Sequence, residues 1–102
     1  MRTNLTEDQI QTQLQTLNAD TSAPWVIDNG KLFKQFEFRS FISAMGFMMQ
    51  SSIVAEKINH HPEWSNVYKS VSVYLITHSS DGITELDFDL AKKMQSIANQ
   101  QS

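Results

Sequence analysis

The chain contains no cysteine, and only two prolines and three glycines among its 102 residues. Without cysteine there is neither a disulfide scaffold nor Cys-ligated zinc, and the composition fits a reducing compartment. The three glycines form no Gly-rich run, so there is no backbone cradle for phosphates. No apolar stretch reaches membrane-spanning length, and the amino end lacks a basic-then-apolar leader pattern; the expected location is the cytoplasm. Positive charge is also short. Eleven acidic residues against eight basic ones give a net charge of −3, which excludes a fold-wide basic footprint for nucleic acid and leaves only a local patch open.

What is present reads as globular: 40% of residues are apolar, and six Phe, two Trp and two Tyr can fill a core. The length suits one domain, residues 1–102, with a single core that needs no staple. Three histidines, His60, His61 and His78, are the only concentrated chemistry. They sit at the ends of regular elements, so the order of elements matters to what they do.

Leu5 to Leu17 has helical spacing at Ile10, Leu14 and Leu17, with Thr6 and Gln9 placed as a capping box. Asn18 to Pro24 reads as a linker. In Trp25-Val26-Ile27-Asp28-Asn29-Gly30-Lys31-Leu32-Phe33 the Asn-Gly pair predicts a type I′ hairpin turn that opposes Ile27 to Leu32 and Val26 to Phe33. Phe36 and Phe38 then share the Leu32 face, as core aromatics more readily than as a ligand platform. Ser40 caps the longest helical pattern, running to about Ile58, with Phe41, Ala44, Met45, Phe47, Met48, Ala55 and Ile58 as a broad apolar stripe. That stripe is core, with a subunit contact as the alternative. Asn66 to His78 alternates as strand with a tight turn near Lys69 and Ser70, placing His78 on the face of Tyr74 and Ile76. After the Ser79-Ser80-Asp81-Gly82 loop, Thr84 caps a last helix with Asp87 at the capping-box position.

Between the long helix and the second pair of strands lies Glu56-Lys57-Ile58-Asn59-His60-His61-Pro62-Glu63-Trp64. Pro62 disfavours helix at His61, so the helix ends near Asn59 and both imidazoles sit at its exit. Glu56 is one turn before His60 and within reach of that ring while helical geometry lasts. Trp64 is either a pocket wall or core. Three readings stay open on spacing alone. Three imidazoles suffice for a catalytic zinc, although neighbouring side chains in regular structure point apart and no further ligand cluster is near. Each histidine is otherwise incidental, or they perform metal-free acid–base chemistry, for which imidazole is the best-suited side chain near neutrality.

The run Ala55 to Tyr68, followed by Thr77-His78 and by Gly82-Ile83-Thr84…Asp87…Leu90-Ala91, resembles the pterin-4a-carbinolamine dehydratase family, as do Phe33 to Phe38 and Phe41 to Met48. The resemblance extends from about Trp25 to Ala98. It implies an α+β fold in which a four-stranded antiparallel sheet carries three helices on one face, in the order α-β-β-α-β-β-α that the patterns above give independently. It also implies dehydration of 4a-hydroxytetrahydrobiopterin to quinonoid dihydrobiopterin, recycling the pterin used by aromatic amino-acid hydroxylases, with no cofactor and no metal. Carried over by position, the catalytic set is His60, His61, His78 and Glu56: His60 and His78 as acid–base pair, His61 contacting the pterin with an acid role as the alternative, Glu56 orienting His60. The substrate-binding set is Asn59, His60, His61, Pro62, Trp64, Thr77, His78 and Ser79. Asn59 stands where animal relatives carry Asp, which removes a charge beside the site. The same resemblance implies a homodimer or homotetramer. It also implies an alternative role as dimerisation cofactor of a homeodomain transcription factor, with nuclear as well as cytoplasmic residence and the Ser40–Ile58 helix as docking face. Neither direct nucleic-acid binding nor membrane association is expected.

Overall fold

A computed structural model of the protein describes residues 3–101. Three helices, α1 (Glu7–Leu17), α2 (Phe41–Ile58) and α3 (Glu85–Gln100), accompany four strands, β1 (Val26–Asp28), β2 (Lys31–Glu37), β3 (Glu63–Val67) and β4 (Ser70–Leu75). The sheet is antiparallel throughout, in the order β1-β2-β4-β3. Two hairpins are thus joined through α2, with β2 and β4 as the central pair. The α+β fold and its element order are those expected from the sequence.

Local chemistry explains most boundaries. Thr6 caps α1 and Gln9 completes a reciprocal capping box, so the helix starts at Glu7, two residues later than Leu5. The segment after it is not wholly irregular, since Asn18–Asp20 forms a single 3-10 turn. Asn29 (φ 55°) and Gly30 (φ 79°) supply the positive angles of the first hairpin turn, and Ile27 opposes Leu32 as Val26 opposes Phe33. In the second hairpin the turn lies at Tyr68-Lys69, one residue earlier than the pattern suggests, with Tyr68 itself at φ 53°. Asn66 holds that turn, its amide donating to the carbonyls of Tyr68 and Ser70.

One face of the sheet is covered. Leu32 and Phe36 on β2, and Val71, Val73 and Leu75 on β4, are buried against Ala44, Phe47 and Ala55 of α2 and Phe88, Leu90, Ala91 and Met94 of α3. Aromatic rings knit these layers, with Phe36 and Phe38 packed against Phe47 at centroid separations of 4.7 and 5.0 Å. Each fully buried side chain of this size contributes about 1.5–3 kcal/mol. The opposite face is open and largely polar, carrying Lys31, Gln35, Glu37, Glu63, Ser72 and Tyr74, with the Phe33 ring tilted against Tyr74 at a centroid separation of 4.5 Å. No helix among the described residues is long and apolar enough to cross a membrane.

Position 34 falls on the covered face, where alternation alone would call for an apolar residue. Lys34 occupies it and is buried there. Its ammonium donates to three neutral acceptors: Thr21 Oγ1 at 3.0 Å, the Ala23 carbonyl at 2.7 Å and Gln95 Oε1 at 2.8 Å. The three protons of the ammonium are thereby matched one to one, and the Thr21–Ala23 loop is tied to α3. Burial without a counter-charge holds the Lys34 pKa below its ordinary 10.5.

Candidate functional site

Antiparallel pairing of β3 with β4 brings the start of one strand beside the end of the other, since Glu63 opposes Tyr74. His60 and His61 precede β3, and Thr77 and His78 follow β4, so sequence positions some 17 residues apart meet at one end of the sheet. Thr84 and Asp87 open α3 at that same end.

The exit of α2 sets the directions of the first two rings. Asn59 takes the left-handed conformation (φ 53°, ψ 46°); its N–H bonds the Glu56 carbonyl, and that of His60 bonds the Ala55 carbonyl at 3.0 Å. These paired 5→2 and 6→1 bonds form a Schellman ending, and Asn is the residue after Gly that enters this region most readily. Asn59 therefore has a local conformational use. The reversal turns His60 inward, leaving 8% of it exposed, while His61 remains in solvent.

Each imidazole meets a different carboxylate. His60 Nε2 lies 2.6 Å from Asp87 Oδ1, a buried pair. His61 Nε2 lies 2.8 Å from Glu56 Oε1, an exposed one. His78 Nε2 stands 2.9 Å from Glu63 Oε2. Glu56 thus serves His61, correcting the expectation that it orients His60. An i, i+4 contact needs helical geometry as far as residue 60, whereas the left-handed step at Asn59 carries His60 away from the helix flank and puts His61 over it.

Asp87 is the residue that sequence reasoning did not place in the site. It is completely buried and accepts three hydrogen bonds. Oδ2 receives the Thr77 hydroxyl and the Thr84 N–H, both at 2.9 Å, and Oδ1 faces His60. A carboxylate has acceptor capacity for all three, so His60 Nε2 is the donor, and in the neutral ring Nδ1 is the acceptor. Nδ1 makes no hydrogen bond among the described residues, where the one buried side-chain polar atom without a partner is Ser51 Oγ. Nδ1 therefore reaches solvent from a ring that is otherwise enclosed. The signal for Asp87 was present but already used: as N3 of a capping box it needed no second explanation.

The remaining candidates divide by position. Thr77 is buried, its hydroxyl also bonding Thr84 Oγ1 at 2.7 Å, and its backbone is bridged to Gly82. It buttresses Asp87, and its side chain offers no free group to a ligand. Trp64 opposes Val73 and shares the covered face, edge-on to Phe47 at 6.5 Å, so its ring belongs to the core layer. Pro62 is half-buried, and Asn59 and Ser79 are exposed. His78 lies one turn past the end of β4, in the 3-10 turn His78–Ser80 and not in strand, yet it still reaches Glu63 on the Tyr74 face. Beside that contact a cleft of about 490 Å³ is lined by Asp28, Asn29, Lys31, Glu63 and Tyr74. Among the described residues no three His, Asp or Glu side chains converge as a metal-ligand set.

This site can move protons. It holds one enclosed imidazole with a fixed donor end and an open acceptor end, and two exposed imidazoles each tied to a carboxylate. Comparison with known proteins gives the same family that the sequence resembles. Residues 3–97 match the family described as Pterin 4 alpha carbinolamine dehydratase. A relative from Solibacter usitatus that bears the family's name is 44% identical over 98 residues, 96% of this chain and 98% of its own length. One from Rhizobium meliloti is 54% identical over 76 residues, 72% of this chain and 73% of that protein. The crystal structure of a transcriptional coactivator/pterin dehydratase from Brucella melitensis matches with a TM-score of 0.85 at 42% identity, covering 94% of this chain and 99% of that one. A pterin dehydratase-like protein identified as a RuBisCO assembly factor in the alpha-carboxysome shares the fold alone, with a TM-score of 0.63 at 20% identity over 78% of this chain and 92% of that one. The chain belongs to the pterin-4a-carbinolamine dehydratase family.

Proposed function

We propose that the protein dehydrates 4a-hydroxytetrahydrobiopterin to quinonoid dihydrobiopterin by metal-free acid–base catalysis, recycling the pterin of aromatic amino-acid hydroxylases. In this reaction the C4a–O bond breaks and the departing hydroxyl takes up a proton to leave as water. The N5–H proton is lost to a base, and its electron pair forms the C4a=N5 double bond. One acid and one base suffice, and the electron count does not change.

The observation that carries this reading is the Asp87–His60 pair. Asp87, itself held by two further donors, fixes the proton on His60 Nε2 and leaves Nδ1 as an oriented base at the surface of an enclosed ring. His78 supplies the second proton position, and His61, steadied by Glu56, contacts the pterin with an acid role as its alternative. Asn59, Pro62 and Ser79 border the pterin at the same end, while Thr77 and Trp64 act from behind the surface. Self-association as homodimer or homotetramer belongs to the same proposal; a monomer mass by light scattering would overturn that part.

A second reading, as an interaction module for a transcription factor, draws on α2. Ile42, Met49 and Ile53 stand exposed along that helix, and the Brucella protein is described as a coactivator as well as a dehydratase. The test is stopped-flow loss of chemically generated 4a-hydroxytetrahydropterin with a chelator present throughout. Catalysis above buffer, indifferent to chelation and lost by about 10²–10⁴-fold in His60→Ala and His78→Ala, supports the enzyme. No acceleration by the native protein leaves the interaction module.

A further inference from the structure

His78 is the least restrained of the three imidazoles. Its side chain is 72% exposed, it heads a three-residue turn, and no hydrogen bond from its ring to another described residue accompanies the Glu63 contact. A proton-transfer group that swings freely spends most of its time out of register with its substrate. What limits it lies across the open face of the sheet.

We infer that Glu63 is a positioning residue for His78 and that Lys31, two strands away, holds Glu63 in place for that task. The inference rests on the dehydratase reading for its consequence, though the contact itself does not. The two carboxylate oxygens are divided: Oε1 takes the Lys31 ammonium at 2.6 Å, and Oε2 stands 2.9 Å from His78 Nε2. Strand register produces this alignment. Glu63 opposes Tyr74 and Tyr74 opposes Phe33, so Glu63, Tyr74, Phe33 and, two residues before Phe33, Lys31 all project from the same face. The other ionisable groups facing this spot are accounted for, since the Tyr74 hydroxyl donates to Asp28 Oδ2 at 3.1 Å. Lys31 has no other carboxylate within ion-pair distance among the described residues. The hydrogen bond from Lys31 keeps the Glu63 carboxyl below the usual carboxylate range, against a smaller opposing effect of desolvation, and His78 adds to the lowering.

The chemistry that follows concerns the proton on His78. A carboxylate beside Nε2 keeps a proton on that nitrogen, so Nδ1 is the nitrogen that faces a substrate, accepting a proton from it when the ring is neutral and donating one to it, as the acid of the pair, when the ring is charged. His60 shows the same polarity, Nε2 toward Asp87 and Nδ1 outward. The enclosed and the exposed histidine then present the same ring edge to the pterin, one fixed by burial and the other by an ion-paired tether.

The experiment compares wild type, Glu63→Gln and Lys31→Met by two readouts on the full chain. The first is the 15N chemical-shift pattern of the His78 ring at a pH where it is neutral. Wild type is expected to show mostly Nε2–H, Glu63→Gln to lose that preference, and Lys31→Met to lie between. The second is dehydratase kinetics, where Glu63→Gln is expected to lower kcat about fivefold, the size of effect an exposed ion pair supplies, with KM little changed. A wild-type ring with no tautomer preference, or one that Glu63→Gln leaves unaltered, overturns the inference whatever the kinetics show. A preference present in a protein that does not accelerate the reaction upholds the contact and removes the dehydratase reading instead.

Discussion

Replacing Asp87 by Asn separates the proposed role of this residue in orienting His60 from its structural one. The amide keeps the shape of the carboxylate but has one acceptor oxygen where Asp has two. If the oxygen takes the Oδ2 position, it still accepts from the Thr84 N–H and the Thr77 hydroxyl, and the NH2 faces His60 Nε2. If the amide is turned the other way, the NH2 opposes a backbone N–H that cannot rotate, leaving a buried donor unmatched at about 1–3 kcal/mol. The first orientation wins. Two donors then meet at His60 unless the ring moves its proton from Nε2 to Nδ1, and the ring does so, because exchanging neutral tautomers costs less than a buried clash. The result is a folded protein whose outward nitrogen is a donor and no longer a base.

Asp87→Asn is therefore expected to lose about 1 kcal/mol in urea unfolding, the worth of weakening a charge-assisted bond to a neutral one. Its dehydration rate in stopped flow should fall about 10²–10⁴-fold, the range that general-base catalysis supplies. Asp87→Ala is the less informative change. Thr77 keeps Thr84 Oγ1 as a partner, but Thr84 N–H and His60 Nε2–H are both orphaned, at about 2–6 kcal/mol together. That is a large share of a typical stability of about 5–15 kcal/mol. An Asn variant that folds normally and turns over within twofold of wild type would refute the assignment of Asp87 as the group that fixes the His60 tautomer.

Other changes test the frame around the site. Lys34→Met is expected to be neutral within about 1 kcal/mol at pH 7, because each acceptor keeps another donor: Gln95 Oε1 from Trp25 Nε1, the Ala23 carbonyl from Thr21, and Thr21 Oγ1 from Ala23 N–H. The pH dependence gives the sign of the burial effect. With the folded pKa of Lys34 below 10.5, the unfolded chain binds more protons between the two values, so the wild type gains stability relative to Lys34→Met as pH climbs through that window; urea titrations of both at several alkaline pH values measure it, and a loss would reverse the assignment. Ser51→Ala removes the one buried, unpartnered hydroxyl among the described residues, inside α2, and is expected to raise stability by about 1 kcal/mol, visible as a higher Tm. Gly30→Ala meets no atom within 4 Å but must adopt φ +79°, so it should cost about 1 kcal/mol through the backbone alone; no loss in the same melt would mean the turn relaxes.

The elements were legible because local signals agreed with one another. Thr6 with Gln9, Asn29 with Gly30, and Thr84 with Asp87 mark starts and turns through contacts made within four residues, and all three pairs act as their chemistry predicts. Lys34 was not legible. Alternation puts it on the covered face, but nothing in the sequence tells that Thr21, Ala23 and Gln95, up to 61 residues away, converge on its ammonium. The histidines lay between these cases. Their number and place at element ends were readable, whereas their partners were assigned by helical spacing that one residue interrupts.

That residue, Asn59, connects the sequence to the chemistry of the site. Had α2 continued one more turn, His60 would have stood over Glu56 and both rings would have lain in solvent on the helix surface. The left-handed step separates the adjacent pair instead, sending one imidazole toward the first turn of α3 and leaving the other on the flank of α2. Two neighbours in sequence thereby acquire unlike environments, the condition under which like groups take unlike roles in acid–base chemistry. Asn tolerates this conformation because its short polar side chain costs little there, while a β-branched residue would resist it. Asn59→Val should therefore weaken catalysis without touching any imidazole, through strain at the turn that displaces His60 from Asp87. Stopped-flow rates on the variant, alongside the rescue expected from Asn59→Gly, decide the point: Gly restores the φ that Val resists. If Val were as active as Asn, the direction of His60 would have to come from its burial against Asp87 and not from the turn that precedes it.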